Sequence, residues 1–321
     1  MKSKTRLNML MPLVAALFIM SLFSGVAAAQ TPGEQYQKIR QEYQIHKDKY
    51  YNTQKNFNAA KDLFEKANAK FRNAKDSESK EELALRAKDY LLRAIDLTAS
   101  HLEVLKYRVE LSENKGVIPF DASKIIDSHT AQLEQLRTTV QQANTVQELV
   151  APHKELKDMW VKIRLETRYY FEILLDNKID NFLLKADNVS VRVDAAIQNL
   201  KSQGKDTTKL EEKAENYKNY VKEAKDNQNK TTGLLATHNG FASNGTVIDN
   251  KNAEAFLRQV DGMQKETIKK LKVASLQLIN FVKEYKKLSG KSRINGEEQS
   301  ESSSSRTTVG NMAVTATVTP G

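Results

Sequence analysis

Near its N-terminus the chain places an aromatic ring at every seventh residue: Tyr36, Tyr43, Tyr50, Phe57, Phe64 and Phe71. The complementary heptad position holds Ile39, His46, Thr53, Ala60, Ala67 and Ala74. An apolar 3-4 repeat sustained this long is compatible with a helix packed into a coiled-coil seam and with little else. The strict period of seven predicts a left-handed supercoil with a partner helix. The alanines at 60, 67 and 74 let that partner come close while the rings fill the gaps. The first helix is expected from about Glu34 to Lys75, or ~63 Å at 1.5 Å per residue.

The same periodicity continues along the chain. Between Glu34 and Leu288 the only prolines are Pro119 and Pro152, so there are few helix breakers. Ser79 with Glu82 reads as a capping box for a second helix that ends at Gly116. That helix has one seam of Leu91, Ile95, Thr98, Leu102, Leu105 and Val109, and another of Ala87, Tyr90, Ala94, Leu97, His101 and Val104. Two adjacent seams predict contact with more than one neighbour. A third helix is expected from a cap at Asp121 or Ser123 to about Ala143. Thr145 with Glu148 is a further capping box, and Pro152 predicts a short turn, a kink and a fresh start near Ala151. The fourth helix shifts its heptad phase near Asp176-Asn177, the mark of a change of partner. A fifth helix follows Asp206-Thr207-Thr208, and a sixth runs from about Asn250 to Ser289. The loop from Gly233 to Asp249 is long for a helix connection, and its Phe241 reads as a plain connector residue or a small exposed anchor.

The chain is thus expected to be all-α, an elongated antiparallel helical bundle of coiled-coil hairpins. Residues 1–29 read as a signal peptide: Lys2, Lys4 and Arg6 precede an apolar run from Leu7 to Phe23, and small residues end at Ala29. Residues 30–116 would form an N-terminal coiled-coil hairpin and 117–290 an elongated helical bundle. Residues 291–321, rich in Ser, Thr and Gly, would form a disordered tail. Outside the leader no run approaches a membrane span. The absence of cysteine excludes disulfides, thiolate metal sites and thiol catalysis. Removing the leader lowers the formal charge from +10 to +7, spread among Glu and Asp along every helix. That pattern describes solvated helix faces, with a weak attraction to anionic polymers, and does not point to a specific nucleic acid.

Chemistry-bearing motifs are sparse. The histidines His46, His101, His129, His153 and His238 show no metal-ligand spacing, and no phosphate loop or nucleophile motif occurs, so no metal, cofactor or catalytic residue is assigned. His46 and His101 fall on seams and read as structural. Trp160, Lys162, Arg164, Arg168 and Tyr169 form the densest aromatic and cationic segment. It is a candidate surface for a glycan or polyanion, or else a core helix with outward charges. Asn188, Asn229 and Asn244 each begin an N-x-S/T sequon and are candidate glycosylation sites, Asn244 being favoured by its Gly-rich loop.

The segment KADNVSVRVDAAIQNLKSQGKDTTKLEEK, residues 185–213, has two helical halves joined through Gly204-Lys205-Asp206. With the preceding WVKIRLETRYY it resembles a hairpin of uncharacterised secreted helical proteins, many of them archaeal. The resemblance covers about a third of the chain. It implies a helical envelope protein and transfers no ligand or catalytic residue. The expected function is a non-enzymatic, exported helical scaffold or interaction protein of the cell envelope. Its partner would be a protein held through helical faces. The alternatives are a binding module for anionic or glycan envelope polymers and a chaperone-like helical clamp.

Overall fold

The computed structural model describes residues 34–113 and 116–289, with side chains from 37 to 111 and from 116 to 289. The leader and the Ser/Thr/Gly-rich tail lie outside the described residues. Six helices follow in order: α1 (Glu34–Ala74), α2 (Ser77–Glu113), α3 (Ala122–Gln142), α4 (Val146–Ser202), α5 (Thr208–Leu235) and α6 (Asn250–Leu288). The protein is an elongated, all-α antiparallel bundle. None of these helices is long and apolar enough to cross a membrane.

Each helix end has a local cause. The α1–α2 turn is made by Lys75 in the left-handed region (φ 54°). The α2 cap is Asp76, whose Oδ1 accepts from the Ser79 backbone N–H at 2.7 Å. The expected Ser79/Glu82 box therefore does not form: Glu82 is drawn across the hairpin to Lys70, 2.8 Å away. Asp121 caps α3 by accepting from the Lys124 N–H. Thr145 and Glu148 form the capping box of α4. The helix then runs on through Pro152, so the expected restart near Ala151 is absent. A proline this early removes the single bond to the Glu148 carbonyl, and the buried ring contributes packing instead.

The α1–α2 hairpin has the predicted seam. Ala60 and Ala67 are buried against α2, and Tyr90 of α2 stacks on Phe64 with ring centres 5.3 Å apart and meets Phe57 at 5.4 Å. The pairs Lys49–Glu103 and Lys70–Glu82 set one antiparallel register over the length of the hairpin. Being exposed and screened by water, they fix the register and add little stability. The described rings of the ladder, Tyr43 to Phe71, are only half-buried, because α1 packs on α2 and on no other described helix. The close approach therefore depends on the alanines. Ala60→Leu should cost ~1–3 kcal/mol by overpacking, read as a lowered denaturant midpoint. Unchanged stability would show that the seam is loose.

The two seams of α2 give it more than one neighbour: Tyr90 of one meets the rings of α1, while Ala87 of that seam joins the other in the core. Leu91, Ile95, Leu102, Leu105 and Val109 are buried in a core shared with α3 and the first half of α4. The turn at 116–117 is thus a corner in the chain and does not divide the core. The division comes inside α4, whose 57 residues reach about 85 Å. Up to Leu174 it lies in the first core, with α2, α3 and the start of α6, here called the head. From Ile179 onward it forms a three-helix stalk with α5 and α6, built on Leu183, Ala186, Val221, Ala224, Leu271 and Ala274, then Val193, Leu200, Leu210 and Phe281. The phase shift near Asp176 marks this exchange of partners.

Candidate functional site

The head carries a groove of about 840 Å³. α3 lines one side with Lys124, Ser128, His129 and Gln132; α4 lines the other with Lys154, Glu155, Asp158 and Lys162; Asn244 and Thr246 close one end. Ile125, Met159 and Val247 are its apolar surfaces. Along α4 the lining runs from Ala151 to Glu166, about 22 Å of helix. The spacing follows from helix geometry, since residues three and four apart share a face.

The end of the groove is held by a buried carboxylate. Glu166, 3% exposed, accepts from the Val247 backbone N–H at 3.0 Å on Oε1 and pairs with His129 Nε2 at 2.6 Å on Oε2. Both oxygens are occupied, so Glu166 acts as a strut between α3, α4 and the α5–α6 loop. Sequence reading assigned no role to Glu166 or His129, although the spacing signalled one. Glu166 lies between Ile163 and Tyr170 on the apolar arc of α4, and His129 between Ile126 and Leu133 on that of α3.

The loop from Ala236 to Asp249 is folded into the head. Phe241 forms an isolated antiparallel bridge with Val247 and stacks on Tyr169, ring centres 4.3 Å apart. Phe241 is 4% exposed, so it is an internal anchor and not the exposed one considered from sequence. Tyr169 also hydrogen-bonds through its hydroxyl to His238 Nδ1 and stacks near Phe120.

The aromatic and cationic segment is distributed around α4 and does not form one surface. Trp160 is half-buried and meets His101 edge-on at 5.5 Å. Arg164 and Arg168 follow it at four-residue steps, exposed and half-exposed. Lys162 projects from another side into the groove. Tyr169 is fully buried, which removes it from any ligand-facing patch. Of the sequons, Asn188 and Asn229 are exposed on α4 and α5, and Asn244 is exposed in the loop beside the groove, its Oδ1 accepting from the Thr246 hydroxyl at 2.8 Å. Among the described residues no group of three or more His, Cys, Asp or Glu side chains could hold a metal ion.

The seam histidines differ. His46 stacks on Tyr107 at 4.5 Å and bonds Glu103 at 3.0 Å near the surface. His101 is wedged between Tyr50 and Trp160, and burial pushes its imidazole down to about 4. The Thr167 hydroxyl gives its proton to the Ile163 carbonyl at 2.7 Å, so at 3.3 Å it accepts from the Nε2–H of a neutral His101. A depressed folded value means that this stability is present above about 6.5 and lost as pH falls toward about 4. With some ring edge still in solvent, we expect a loss of ~1–3 kcal/mol between pH 7 and pH 4. Denaturant midpoints of wild type and His101→Gln should converge over that range. A gap that stays constant with pH would contradict the assignment.

Comparison with known proteins finds no matching family model, no matching curated protein and no matching solved structure.

Proposed function

We propose that the protein is an exported, non-enzymatic helical scaffold of the cell envelope that docks a protein partner along the α1–α2 hairpin. The observation that carries this reading is that α1, a 41-residue helix with a ring at every seventh position, packs among the described residues on α2 alone. One flank of a heptad seam is left half-open, and the complement of a heptad seam is another helix. Ile45 and Leu63, 60% and 40% exposed, lie on a further side of α1 five turns apart. The head and stalk strung along α4 support a spacing role. Export rests on the leader-like residues 1–29, and the resemblance to secreted helical-hairpin proteins rests on residues 185–213 and the WVKIRLETRYY segment before them.

The test is an affinity pull-down from the envelope fraction with the protein beginning at Gln30, at low and high salt. A partner held by helix packing should survive high salt and be lost with Leu63→Glu, a change at an exposed position that should leave the melting temperature nearly unchanged. Retention of every partner by both Leu63→Glu and Phe71→Ala, which alters a half-buried ring of the seam itself, would count against the hairpin as the docking face. A second reading, binding of a glycan polymer, is supported by the long polar groove, whose Lys124, Lys154 and Lys162 alternate with Asp121, Glu155 and Asp158. Polymer capture should be weakened by Lys162→Glu.

A further inference from the structure

At the junction of head and stalk the apolar seams of three helices are interrupted at one level. On α5, Gln228 and Thr231 fall between Ala224 and Leu235; on α6, Gln264 and Thr267 fall between Val260 and Leu271; α4 contributes Glu172 and Asp176. None of these six side chains is more than 9% exposed. The layer sits where α4 passes from the first core to the stalk core.

Most donors in this layer are bonded to other acceptors. Gln228 Nε2 donates to Asp176 Oδ1 at 2.8 Å, and Thr232 Oγ1 donates to Asp176 Oδ2 at 3.1 Å. Gln264 Nε2 donates to the Glu172 carbonyl at 2.9 Å. Thr231 and Thr267 give their hydroxyl protons to carbonyls of their own helices, those of Asn227 and Met263. The buried Oε1 atoms of Gln228 and Gln264 accept from no group among the described residues. Two buried acceptors are thus left without a donor, which is costly in a buried layer. The groups in the layer that can gain a donor are the two carboxyls, each by taking up a proton.

We propose that this layer is a proton-operated joint between head and stalk: closed when Glu172 and Asp176 are protonated, and locally opened to water when they are ionised. The surrounding charges allow it. Facing Glu172 are Asp261 and Lys265 of α6, themselves paired at 2.7 Å, and Arg168 of α4. Facing Asp176 are Asp180 of α4 and the neutral Gln228 and Thr232 of α5. Burial, aided by Asp261, pushes Glu172 up to about 7 against the opposing pull of Arg168 and Lys265. Burial pushes Asp176 up to about 6, against its hydrogen bonds from Thr232 and Gln228. Both values lie above those of the unfolded chain. The stabilisation is therefore full below about pH 4 and is lost as pH rises through about 6 to 7. His101 acts in the opposite sense below about 6.5, and cancels in any comparison of chains that keep it. The joint is independent of what the hairpin binds.

The experiment is a set of thermal melts from pH 4 to 8.5 on the wild type and on Glu172→Gln/Asp176→Asn, whose amides mimic the protonated carboxyls. The double variant should melt about 5–10 °C higher at pH 8, and the two curves should meet near pH 4. Hydrogen exchange, corrected for the intrinsic effect of pH, locates the change. Protection around 172–180, 224–232 and 260–268 should weaken at pH 8 in the wild type and hold in the double variant. A melting difference that does not vary with pH would overturn the proposal. So would a pH-dependent difference with protection lost evenly over all helices, since that is global stability and not a joint.

Discussion

Tyr169→Ala should destabilise the protein by about 3–5 kcal/mol, the usual cost of removing a buried aromatic side chain. Tyr169 is fully buried and holds together elements distant in sequence: Phe241 of the loop at 4.3 Å, Phe120 before α3 at 5.9 Å and Phe256 of α6 at 6.1 Å. Truncation would open a cavity at the point where the loop is pinned, so the melting temperature should fall by roughly 10 °C for a chain of this size. Tyr169→Phe keeps the stacking and gives up only the bond to His238 Nδ1, a loss near 1 kcal/mol. The pair separates the packing role from the polar one. It also decides whether Tyr169 belongs to a ligand surface: a surface residue would leave both melting curves unmoved.

Gly240→Ala should be about as damaging for a different reason. Gly240 has φ +87°, and a Cβ there would stand 2.2 Å from the backbone N of Ala253. Neither atom belongs to a flexible side chain, so the start of α6 or the loop has to move. The left-handed backbone alone costs an L-residue ~1–2 kcal/mol, and displacing backbone adds to that. The expected result is a loss of at least ~2–3 kcal/mol, with increased proteolysis within 236–249. Gly233→Ala is the control. Gly233 lies inside α5 with nothing within 4 Å of its would-be Cβ, so alanine should be neutral or slightly stabilising there. Equal stability of the two variants would mean that the loop is not held against α6.

The helices themselves were legible in the order of residues because their causes are local. Heptad spacing places Ala60 and Ala67 against a neighbour, and caps such as Thr145 with Glu148 and Asp121 with Lys124 involve atoms at most a turn apart. The phase break at Asp176 was equally visible, since a helix that changes partners must rotate its apolar stripe. Other features depended on which helix lies beside which. Glu82 left its expected cap because Lys70 of α1 stands opposite. Phe241 is internal because Tyr169, 72 positions earlier in the chain, offers it a ring. The groove draws its walls from α3, α4 and the α5–α6 loop, and the adjacent residues Trp160 to Tyr169 point to different sides because a helix turns by about 100° per residue. The polar layer is the clearest case. Glu172, Asp176, Gln228 and Gln264 each read alone as ordinary helix-surface residues. Only the packing of α4 against α5 and α6 puts them at one buried level, where a carboxyl and an unpaired amide oxygen become costly. Periodicity within a helix is written in neighbouring residues, whereas burial of a polar group is a property of three chain segments meeting.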